Sequence, residues 1–472
     1  MKIKAGLEIH QQLDTNKLFC NCPSILRSDE PEFKINRKLH AVAGEIGEVD
    51  IAAEYEVKKD IGFVYQGYDT TCLVELDEGP PYLINQEALK IVLHVALLLN
   101  CQILPFSQIM RKTVVDGSNT SGFQRTVLIA RNGWIETKEG KVKVDNVSLE
   151  EDAARIVGNE DSKKVFRLDR LGIPLIEIGT APDIKNPEQC KEAALILGDI
   201  LRSCKVKRGI GTIRQDINVS IDGHPRVEIK GFQDVKMFIS TIENEVRRQE
   251  ENLKDKKGKE LKGEVRNAKE DGSTEFLRPM PGAARMYPET DLPLLRISRQ
   301  LVNEAKRTLP KLRIEIKKEL VKKGLREEEI QILLRQDKLE EFEGLMKLIR
   351  EPRFVFKALI EIPKEISRHE GKSVEDILTL DVIEDIVNAV SEGKIGREDV
   401  KHVMEEVVKG KKVDEALKIE KVDLSKIEGE VAKLISQKPG LSIGAYMGLI
   451  MKKFKGKVSG KEVNEILGKL LK

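Results

Sequence analysis

The segment from Gly209 to Gly231 constrains the fold of this chain more than any other stretch. It reads GIGTIRQDINVSIDGHPRVEIKG, with an alternating run on either side of the turn Asp222-Gly223, which predicts a β-hairpin. The apolar side chains fall on one face and are Ile213, Ile217, Val219, Ile221, Val227 and Ile229. The opposite face carries Thr212, Arg214, Asp216, Asn218, Ser220, Arg226, Glu228 and Lys230.

The charged face of this hairpin is open to two interpretations. A solvated strand face is usually a patternless mixture of Thr, Lys and Glu, and such a face has no chemical role. Carboxylates for a metal ion, interleaved with cations for phosphate, are instead what phosphoryl transfer requires. The regular mixing of both charges favours the second interpretation.

Further acids and a histidine occur in the N-terminal half. Glu8 and His10 alternate with apolar residues, so they project from one face of a predicted strand. Glu150 and Glu151 follow another alternating run, and Glu177 lies inside the apolar run PLIEI. A buried carboxylate must be paired, protonated or bound to a metal, so Glu177 is either a partner of a nearby cation or a ligand. Oxygen and nitrogen donors of this kind suit Mg²⁺ or Mn²⁺.

Seven blocks of the sequence form a recognisable series. They are GLEIHQQL (6–13), KLFCNCPS (17–24), SGFQRTVLIARNGWIE (121–136), LEEDAARIV (149–157), LDRLGIPLIEI (168–178), the hairpin, and RPMPGAARMYPETDLP (278–293). In this order they resemble the GatB/GatE family of tRNA-dependent amidotransferase subunits. The phrases SGFQRT and RPMPGAARMYPETD are similar to the archaeal branch, because the bacterial branch usually reads GYQISQ at the first of these places.

The resemblance implies an ATP-dependent carbon–nitrogen ligase with glutamine as amido donor. Such an enzyme phosphorylates the side-chain carboxylate of glutamate carried by tRNA(Gln), and ammonia then displaces phosphate to give Gln-tRNA(Gln). The sequence contains neither the GGSS signature of amidases nor a recognisable glutaminase triad. Ammonia would therefore come from a partner, which in the archaeal branch is the asparaginase-like subunit GatD. We expect a heterotetramer with two copies of each subunit.

The charge pattern and the resemblance together lead us to expect roles for individual residues, and the motifs of the bacterial relatives match His10, Glu151 and Glu177. The expected ligands of Mg²⁺ or Mn²⁺, or neighbours of such ligands, are Glu8, His10, Glu150, Glu151 and Glu177. The cations expected to neutralise ATP phosphates are Arg170, Arg214 and Lys230. The acids expected to hold a second metal or to orient these cations are Asp216 and Glu228.

Two departures from the family pattern stand out. Archaeal members normally carry an aspartyl-tRNA-synthetase-like domain near RPMPGAARMYPETD, but only the short charged stretch Glu251 to Gly272 precedes that block here. The chain is therefore expected to lack the inserted domain. Many bacterial members hold zinc with C-x-C followed by C-x-x-C. Cys20 and Cys22 are present, but INRKLHAVAGEIGEVD downstream holds no second pair, so we interpret them as ordinary thiols.

Length, charge and cysteine content set broad limits. A chain of 472 residues should divide into two or three domains. The formal net charge of +2 excludes a polybasic binder, so contact with nucleic acid must come from local patches. Six scattered cysteines indicate a reduced, cytoplasmic protein. The longest apolar run, Ile91 to Leu99, is too short to span a membrane.

The spacing of the apolar residues along the sequence changes near Pro288. Short alternating runs and two helical patches before it predict an α+β domain built on antiparallel sheet, and patterns of period 3.6 dominate after it. We therefore predict a catalytic domain (1–293), a helical linker domain (294–375) and a helical tail domain (376–472). The tail ends in a basic loop with Lys452, Lys453, Lys455 and Lys457. A solvated lysine face is common, but the resemblance favours contact with the tRNA backbone.

Three functions remain open on the sequence. The first is the archaeal-type kinase and transamidase. The second is a bacterial-type GatB subunit that works with a separate amidase and a small third subunit and acts on Glu-tRNA(Gln) or Asp-tRNA(Asn). The third is a tRNA-binding scaffold that has lost catalysis. The phrase SGFQRT argues against the second, and the intact acidic and histidine positions argue against the third.

Overall fold

The structure of the protein is a computed structural model. It describes residues 2–43, 47–160, 163–232, 235–255, 260–280, 282, 285–336, 338–418, 424–453 and 460–470, except the side chains of 424–426, 451–453, 460–462 and 464–465. The chain forms two compact units, Met1–Arg313 and Ile314–Lys472. The first unit is α+β and the second is helical, as the sequence predicts.

The first unit is built around a large sheet. Its strand order is β15-β14-β13-β12-β1-β11-β8-β7-β6-β16, with β4 paired to β7. The pairing is antiparallel except between β13 and β14. The strands of the unit are β1 (Ile3–Gln12), β2 (Phe33–Arg37), β3 (Phe63–Gly67), β4 (Gln102–Ile103), β5 (Phe106–Ser107), β6 (Ile109–Thr113), β7 (Phe123–Thr137), β8 (Gly140–Glu151), β9 (Arg155–Glu160), β10 (Lys163–Arg167), β11 (Pro174–Thr180), β12 (Ile213–Ile221), β13 (Val227–Phe232), β14 (Glu264–Ala268), β15 (Thr274–Pro279), β16 (Met286–Pro288) and β17 (Leu295–Arg296).

Helices cover one face of this sheet. The helices of the unit are α1 (Ile51–Val57), α2 (Gln86–Leu98), α3 (Pro187–Arg202), α4 (Met237–Lys254) and α5 (Arg299–Arg307). Asn85 caps α2 by accepting hydrogen bonds from the amides of Glu87 and Ala88, and Asn186 caps α3 by accepting one from the amide of Gln189. The buried residues of α2, α3 and α4 form one apolar core with the sheet residues Leu7, Ile9, Ile176, Ile178, Ile217, Val219, Val227 and Ile229.

The predicted hairpin is confirmed. Val219 lies opposite Val227 and Ile217 lies opposite Ile229, so both strands turn their apolar side chains into the core. Because side chains alternate along a strand, the charged residues of the hairpin are left on the opposite face. The smaller sheet has the order β2-β3-β10-β9, and Phe63, Tyr65 and Phe166 lie in a separate apolar cluster there.

The second unit contains only helices and short helical turns among the described residues. They are α6 (Arg313–Lys322), α7 (Glu327–Arg335), α8 (Leu339–Leu348), α9 (Pro352–Phe356), a π-helical turn (Lys357–Glu361), α10 (Ile362–Glu370), α11 (Leu380–Ser391), a 3₁₀ turn (Arg397–Asp399), α12 (Val400–Val408), α13 (Val413–Ala416), α14 (Leu424–Gln437), α15 (Ile443–Lys453) and α16 (Gly460–Leu470). No described helix combines the length and the apolar composition that a membrane span requires.

The compact units differ in their bounds from the three domains proposed on the sequence. The first unit runs past residue 293, because Ala305 of α5 is buried in the core of the large sheet. One apolar cluster in the second unit extends from Leu320 to Ala416, across the boundary proposed at 375/376. A separate cluster from Ile427 to Leu467 joins α14, α15 and α16. Among the described residues, packing therefore places the boundary within the second unit between Ala416 and Ile427, and not at 375/376.

The structure describes only the backbone of two of the four lysines proposed for tRNA binding. Lys452 and Lys453 belong to the end of α15 instead of a loop, and their side chains lie outside the described part. Lys455 and Lys457 lie outside the described residues altogether. Their role in tRNA binding stays a prediction.

Candidate functional site

Neighbouring strands bring the candidate residues of the N-terminal half onto one polar face. Strand β1 lies between β11 and β12, so His10 is opposite Glu177 on one side and opposite Arg214 on the other. Glu8 is opposite Asp216 in the same pairing. On the far side of β11, Glu177 is opposite Ser148 of β8. Antiparallel register alone thus assembles residues from four distant segments.

A histidine and two carboxylates form the centre of this face. The Nε2 atom of His10 lies 3.3 Å from Glu177 Oε2, 3.9 Å from Glu150 Oε2 and 3.7 Å from Glu8 Oε1. The side chain of Glu150 is only 2% exposed and that of Glu177 is 14% exposed, so these charges are largely removed from water. The donor atoms of His10, Glu150 and Glu177 lie within 4.8 Å of one another, as do those of Glu8, His10 and Asp216.

Lys112 of β6 is part of the same cluster, although its sequence context does not single it out. Its Nζ lies 2.9 Å from Glu150 Oε1 and 3.4 Å from Glu177 Oε2. Gln124 donates to Glu150 Oε2 across 3.1 Å, and Asn146 lies 3.4 Å from Glu177 Oε1. Lys112 and Met110 are two positions apart in β6, so strand alternation places their side chains on the same face. Because Met110 is apolar, the sequence of β6 alone does not indicate that this face is polar.

The charges in this cluster perturb one another. Burial raises the pKa of Glu150, and the neighbouring Glu177 raises it further. Burial also opposes ionisation of Glu177, but Lys112 and His10 outweigh it and hold the pKa of Glu177 well below its ordinary value. For His10, burial lowers the pKa, whereas the hydrogen bond to Glu177 and the surrounding carboxylates raise it above the ordinary value. Carboxylates with opposite pKa shifts side by side are typical of catalytic sites.

A second cluster of charged residues lies on the hairpin and extends the same polar face. The Nζ of Lys230 lies 2.6 Å from Asp216 Oδ2 and 2.5 Å from Glu228 Oε1. Burial opposes the charge on Lys230, but Asp216 and Glu228 outweigh it and raise its pKa. Arg278 and Arg285 also face Glu228 and contribute to the lowered pKa of that carboxyl, after Lys230. Asp216 and Glu228 are thus paired with a lysine.

Arg170 and Arg214 are joined through a buried aspartate. Arg214 Nη2 lies 2.9 Å from Asp152 Oδ1, and Arg170 Nε lies 3.8 Å from Asp152 Oδ2. Gln12 donates to Asp152 Oδ2 across 2.6 Å. Arg170 also donates to the carbonyls of Ala153 and Ala154, which fixes its guanidinium to the backbone. The described lining of the cavity over the polar face includes Arg214 but not Arg170.

Glu151 lies apart from the histidine cluster. It accepts hydrogen bonds from the backbone amide and the guanidinium of Arg125, at 3.1 Å and 3.4 Å. Arg125 Nε lies 2.7 Å from Glu289, which is also paired with Arg111. Glu150 and Glu151 are adjacent in β8, so their side chains leave the sheet on opposite faces. The structure therefore brings Glu150, and not Glu151, to His10 and Glu177.

A cavity of about 950 Å³ lies over the polar face. Its size falls in the range of about 300–1,000 Å³ that is usual for ligand sites. Among the proposed residues, Glu8, His10, Glu150, Glu177, Arg214, Asp216, Glu228 and Lys230 line it. Arg278 and Arg285 line it too, and both lie in the block RPMPGAARMYPETDLP, which the family resemblance alone had linked to function.

The interpretation of Cys20 and Cys22 as ordinary thiols stays a prediction. The structure brings them together with Cys72 and Glu75, and donor atoms of all four residues lie within 4.8 Å of one another. The stretch directly downstream of Cys22 holds no second pair of cysteines. Cys72 lies further along the chain, and its partner is a carboxylate.

Comparison with known proteins covers both units. Residues 3–303 match the GatB/GatE catalytic domain, and residues 340–471 match the GatB domain. Three similar proteins are each named as the E subunit of glutamyl-tRNA(Gln) amidotransferase. The protein of Methanocaldococcus jannaschii is 39% identical over 626 residues, and that of Archaeoglobus fulgidus is 34% identical over 613; both alignments cover 100% of this chain and 98% of the relative. The protein of Pyrobaculum arsenaticum is 33% identical over 611 residues, with 99% and 98% covered.

The lengths of these alignments can be compared with the prediction that this chain lacks the inserted domain of archaeal members. An alignment of 626 positions exceeds the 472 residues of this chain, so the relative from Methanocaldococcus jannaschii has a substantial number of residues that face gaps here. This agrees with the prediction that the chain lacks the insertion of archaeal members. The matches over both units confirm the resemblance, and the chain belongs to the GatB/GatE family.

Proposed function

We propose that this chain is the subunit of a tRNA-dependent amidotransferase that activates glutamate on tRNA(Gln) with ATP and then amidates it. The observation that carries the proposal is the cavity that is lined both by the cluster of His10, Glu150 and Glu177 and by the cations of the hairpin. Full-length similarity to relatives named as the E subunit of glutamyl-tRNA(Gln) amidotransferase supports the same substrate class.

The cations of the cavity suit the phosphates of ATP. Arg214 and Lys230 are joined there by Arg278 and Arg285, so guanidinium and ammonium groups line the same cavity. Fixed cations stabilise charge that spreads over the oxygens of a transferring phosphoryl group. Asp152 holds Arg214 in place, and Asp216 with Glu228 holds Lys230. These acids orient the cations before substrate arrives.

The donor set of the central cluster fits Mg²⁺ or Mn²⁺. His10, Glu150 and Glu177 offer one nitrogen and carboxylate oxygens within 4.8 Å of one another, and Glu8, His10 and Asp216 form a second, overlapping set. Hard oxygen-rich sites of this kind favour these ions over softer metals. When bound, such an ion neutralises negative charge on the phosphates.

The reaction has two chemical steps. A carboxylate oxygen of the glutamyl group attacks the γ-phosphorus of ATP, which releases ADP and leaves an acyl phosphate. Ammonia then attacks the carbonyl carbon, loses a proton and expels inorganic phosphate. Glu8 lines the same cavity, and its carboxylate can accept that proton.

The nitrogen source is a second protein. The sequence has no amidase or glutaminase signature, so we propose a GatD-like, asparaginase-type subunit in a complex with two copies of each chain. The decisive experiment measures ADP release from ATP in the presence of this partner, with and without Glu-tRNA(Gln). Release that depends on Glu-tRNA(Gln) supports the proposal. Equal release with uncharged tRNA contradicts it.

A further inference from the structure

The loop that joins β6 to β7 (114–122) contributes polar side chains to the catalytic cavity. The strands that it joins carry Lys112 and Gln124, which lie opposite each other and both donate hydrogen bonds to Glu150. The loop therefore begins and ends beside the central cluster. Its polar residues that line the cavity are Asp116, Ser118 and Asn119.

Asp116 differs from the other acids of the cavity, because it has no cationic partner in the described part of the chain. Its Oδ1 accepts hydrogen bonds from the amide and the hydroxyl of Ser118, at 2.9 Å and 2.6 Å. No described group donates to its Oδ2. An unpaired carboxylate that is partly removed from water is unfavourable, so Asp116 favours a cationic ligand. The other acids of the lining, each paired with a lysine or with His10, are Glu8, Glu150, Glu177, Asp216 and Glu228.

Asn119 offers a second acceptor in the same loop. It is 2% exposed, and its Oδ1 accepts no hydrogen bond from any described residue. The Ser118 hydroxyl donates to Asp116, so its oxygen can only accept, and Asn119 Nδ2 lies 3.4 Å from it. This contact orients the amide and leaves Oδ1 free. A buried acceptor without a donor is costly, which indicates that a ligand supplies the donor.

Neighbouring elements hold the loop in this shape. Tyr65 donates through its hydroxyl to the carbonyl of Gly117 across 2.8 Å, and the amide of Ala154 donates to the carbonyl of Ser118 across 2.8 Å. Gly117 has a φ of +93°, and a Cβ there would lie 2.3 Å from the ring of Phe63, so the position requires glycine. The two free acceptors are thus in place before a ligand binds, which lowers the entropy lost on binding.

We propose that Asp116 and Asn119 bind the α-ammonium group of the glutamyl residue carried by the tRNA, an inference that rests on the proposed function. An ammonium group combines a positive charge with several N–H donors, and it therefore satisfies a free carboxylate oxygen and a free amide oxygen together. Glutamate esterified to tRNA keeps its α-ammonium but has no charged α-carboxylate.

The position of the loop gives this contact a role in orienting the substrate. The α-ammonium and the side-chain carboxylate lie at opposite ends of the glutamyl residue. With the first held by the loop, the second extends into the cavity that the central cluster and the cations line. Fixing the substrate at its unreactive end places the reacting carboxylate for attack on ATP.

Acetylation of the substrate tests the proposal, because N-acetyl-Glu-tRNA(Gln) lacks the charge of the α-ammonium. ADP release is measured with the full-length chain and its partner near pH 6.5, below the usual pKa of an α-amino group of about 7.7–8.0. We expect acetylation to lower the kcat/KM of the wild type by about tenfold or more. Asp116→Asn keeps an acceptor for Ser118 but loses the charge, so it should act on both tRNAs about equally.

Two further variants complete the comparison. Asn119→Leu removes the free acceptor at similar size and should also weaken the preference for Glu-tRNA(Gln). Asp145→Asn is the matched control, because Asp145 is exposed on β8 and is not part of the described lining, so it should keep the full preference. Equal activity of the wild type on both tRNAs contradicts the proposal. So does a preference that Asp116→Asn retains, since the bulk of the acetyl group is then its cause.

Two more outcomes identify other roles for the loop. A higher KM for ammonium in Asp116→Asn, with the preference unchanged, would overturn the proposal and assign the loop to the nitrogen donor. Filter binding without ATP is independent of catalysis, and the wild type should bind the acetylated tRNA about tenfold more weakly, whereas Asp116→Asn should bind both equally. If neither tRNA elicits ADP release, the proposed function fails, and this binding comparison still decides whether the loop recognises the ammonium group.

Discussion

His10 and Glu177 are far apart in the sequence, yet His10 Nε2 lies 3.3 Å from Glu177 Oε2. The contact follows from the antiparallel pairing of β1 and β11, which sets the two residues directly opposite each other. Each group favours the charged form of the other, since the pKa of His10 is raised and that of Glu177 is lowered despite burial of both. This pair is the centre of the proposed active site.

The first prediction concerns the carboxylate of this pair. Glu177→Gln keeps the size of the side chain but removes its charge and a candidate metal ligand. We expect the rate of ADP release dependent on Glu-tRNA(Gln) to fall by about two to three orders of magnitude, while the affinity for tRNA persists. Glu136→Gln is the control, because Glu136 is exposed on β7 and should behave as wild type. Near-normal activity of Glu177→Gln would remove this residue from the site.

The second prediction concerns Lys230 as a phosphate ligand. Lys230→Gln removes the ammonium that Asp216 and Glu228 hold in the cavity. Because charge-assisted hydrogen bonds contribute about 1.5–3 kcal/mol, the KM for ATP should rise by about tenfold or more. The control is Lys4→Gln, since Lys4 lies on β1, two strands away from β13 in the same sheet, with a side chain that is 55% exposed. An unchanged KM for ATP with a lower affinity for tRNA would assign Lys230 to tRNA instead.

The third prediction concerns stability and pH at Asp152. Burial opposes its charge, but Arg214 and Arg170 outweigh burial and lower the pKa of Asp152 below its ordinary value. A depressed carboxyl pKa stabilises the fold above the ordinary value near 3.8, and this stabilisation is lost as the pH falls through the folded pKa. Asp152→Asn should therefore lower the free energy of unfolding by about 2 kcal/mol at pH 7, and the difference from wild type should shrink towards pH 3.

Urea denaturation followed by fluorescence measures this difference in the first unit alone. Trp134 is the single tryptophan of the chain and lies in β7. Asp222→Asn is the control, because the side chain of Asp222 is 58% exposed and should change stability by less than about 0.5 kcal/mol. A destabilisation of Asp152→Asn that stays constant from pH 7 to pH 3 would show that the charge of Asp152 is not its cause.

The fourth prediction concerns the tail. The apolar cluster of α14, α15 and α16 is separate from the cluster that ends at Ala416, so a chain of residues 1–418 should keep its remaining core. We expect this truncation to raise the KM for Glu-tRNA and to lower the slope of log affinity against log salt by about one for each lysine–phosphate pair that it removes. Filter binding over a salt series measures both. Unchanged tRNA affinity would leave the tail with a structural role.

A second truncation, which removes more of the chain, serves as a comparison. A cut after residue 375 divides the cluster that extends from Leu320 to Ala416, so it should destabilise the second unit as well as remove the tail. Circular dichroism of the two truncated chains should show normal helix content per residue for 1–418 and a deficit for 1–375.

The fifth prediction concerns the nitrogen donor. With ATP and Glu-tRNA(Gln), the isolated chain should form Gln-tRNA(Gln) from free ammonium, but not from glutamine or asparagine. The reason is that the sequence lacks a signature of ammonia-producing enzymes. Chromatography of the amino acids released from tRNA measures the product. Transfer from glutamine by the purified chain alone would show that both activities reside in one protein.

Strand alternation made much of the polar face predictable. Glu8, His10 and the hairpin residues follow the period of two that sends every second side chain to the same side, and the structure keeps these assignments. The cap of α2 by Asn85 likewise depends only on residues next to it in the sequence. Glu150 and Glu151 show where local reasoning ends, because alternation separates the two residues but does not say which one faces His10.

The sequence by itself determined the fold class, the strand faces and the acidic and basic residues available for chemistry, because these depend on local periodicity and composition. Only the tertiary structure decided which of them meet. The order of β6, β7, β8, β11, β1 and β12 in the sheet brings Lys112 to Glu150 and Glu177, and loop packing brings Cys72 and Glu75 to Cys20. Such contacts join segments distant in the chain, and their stability comes from packing and charge pairing that no local pattern encodes.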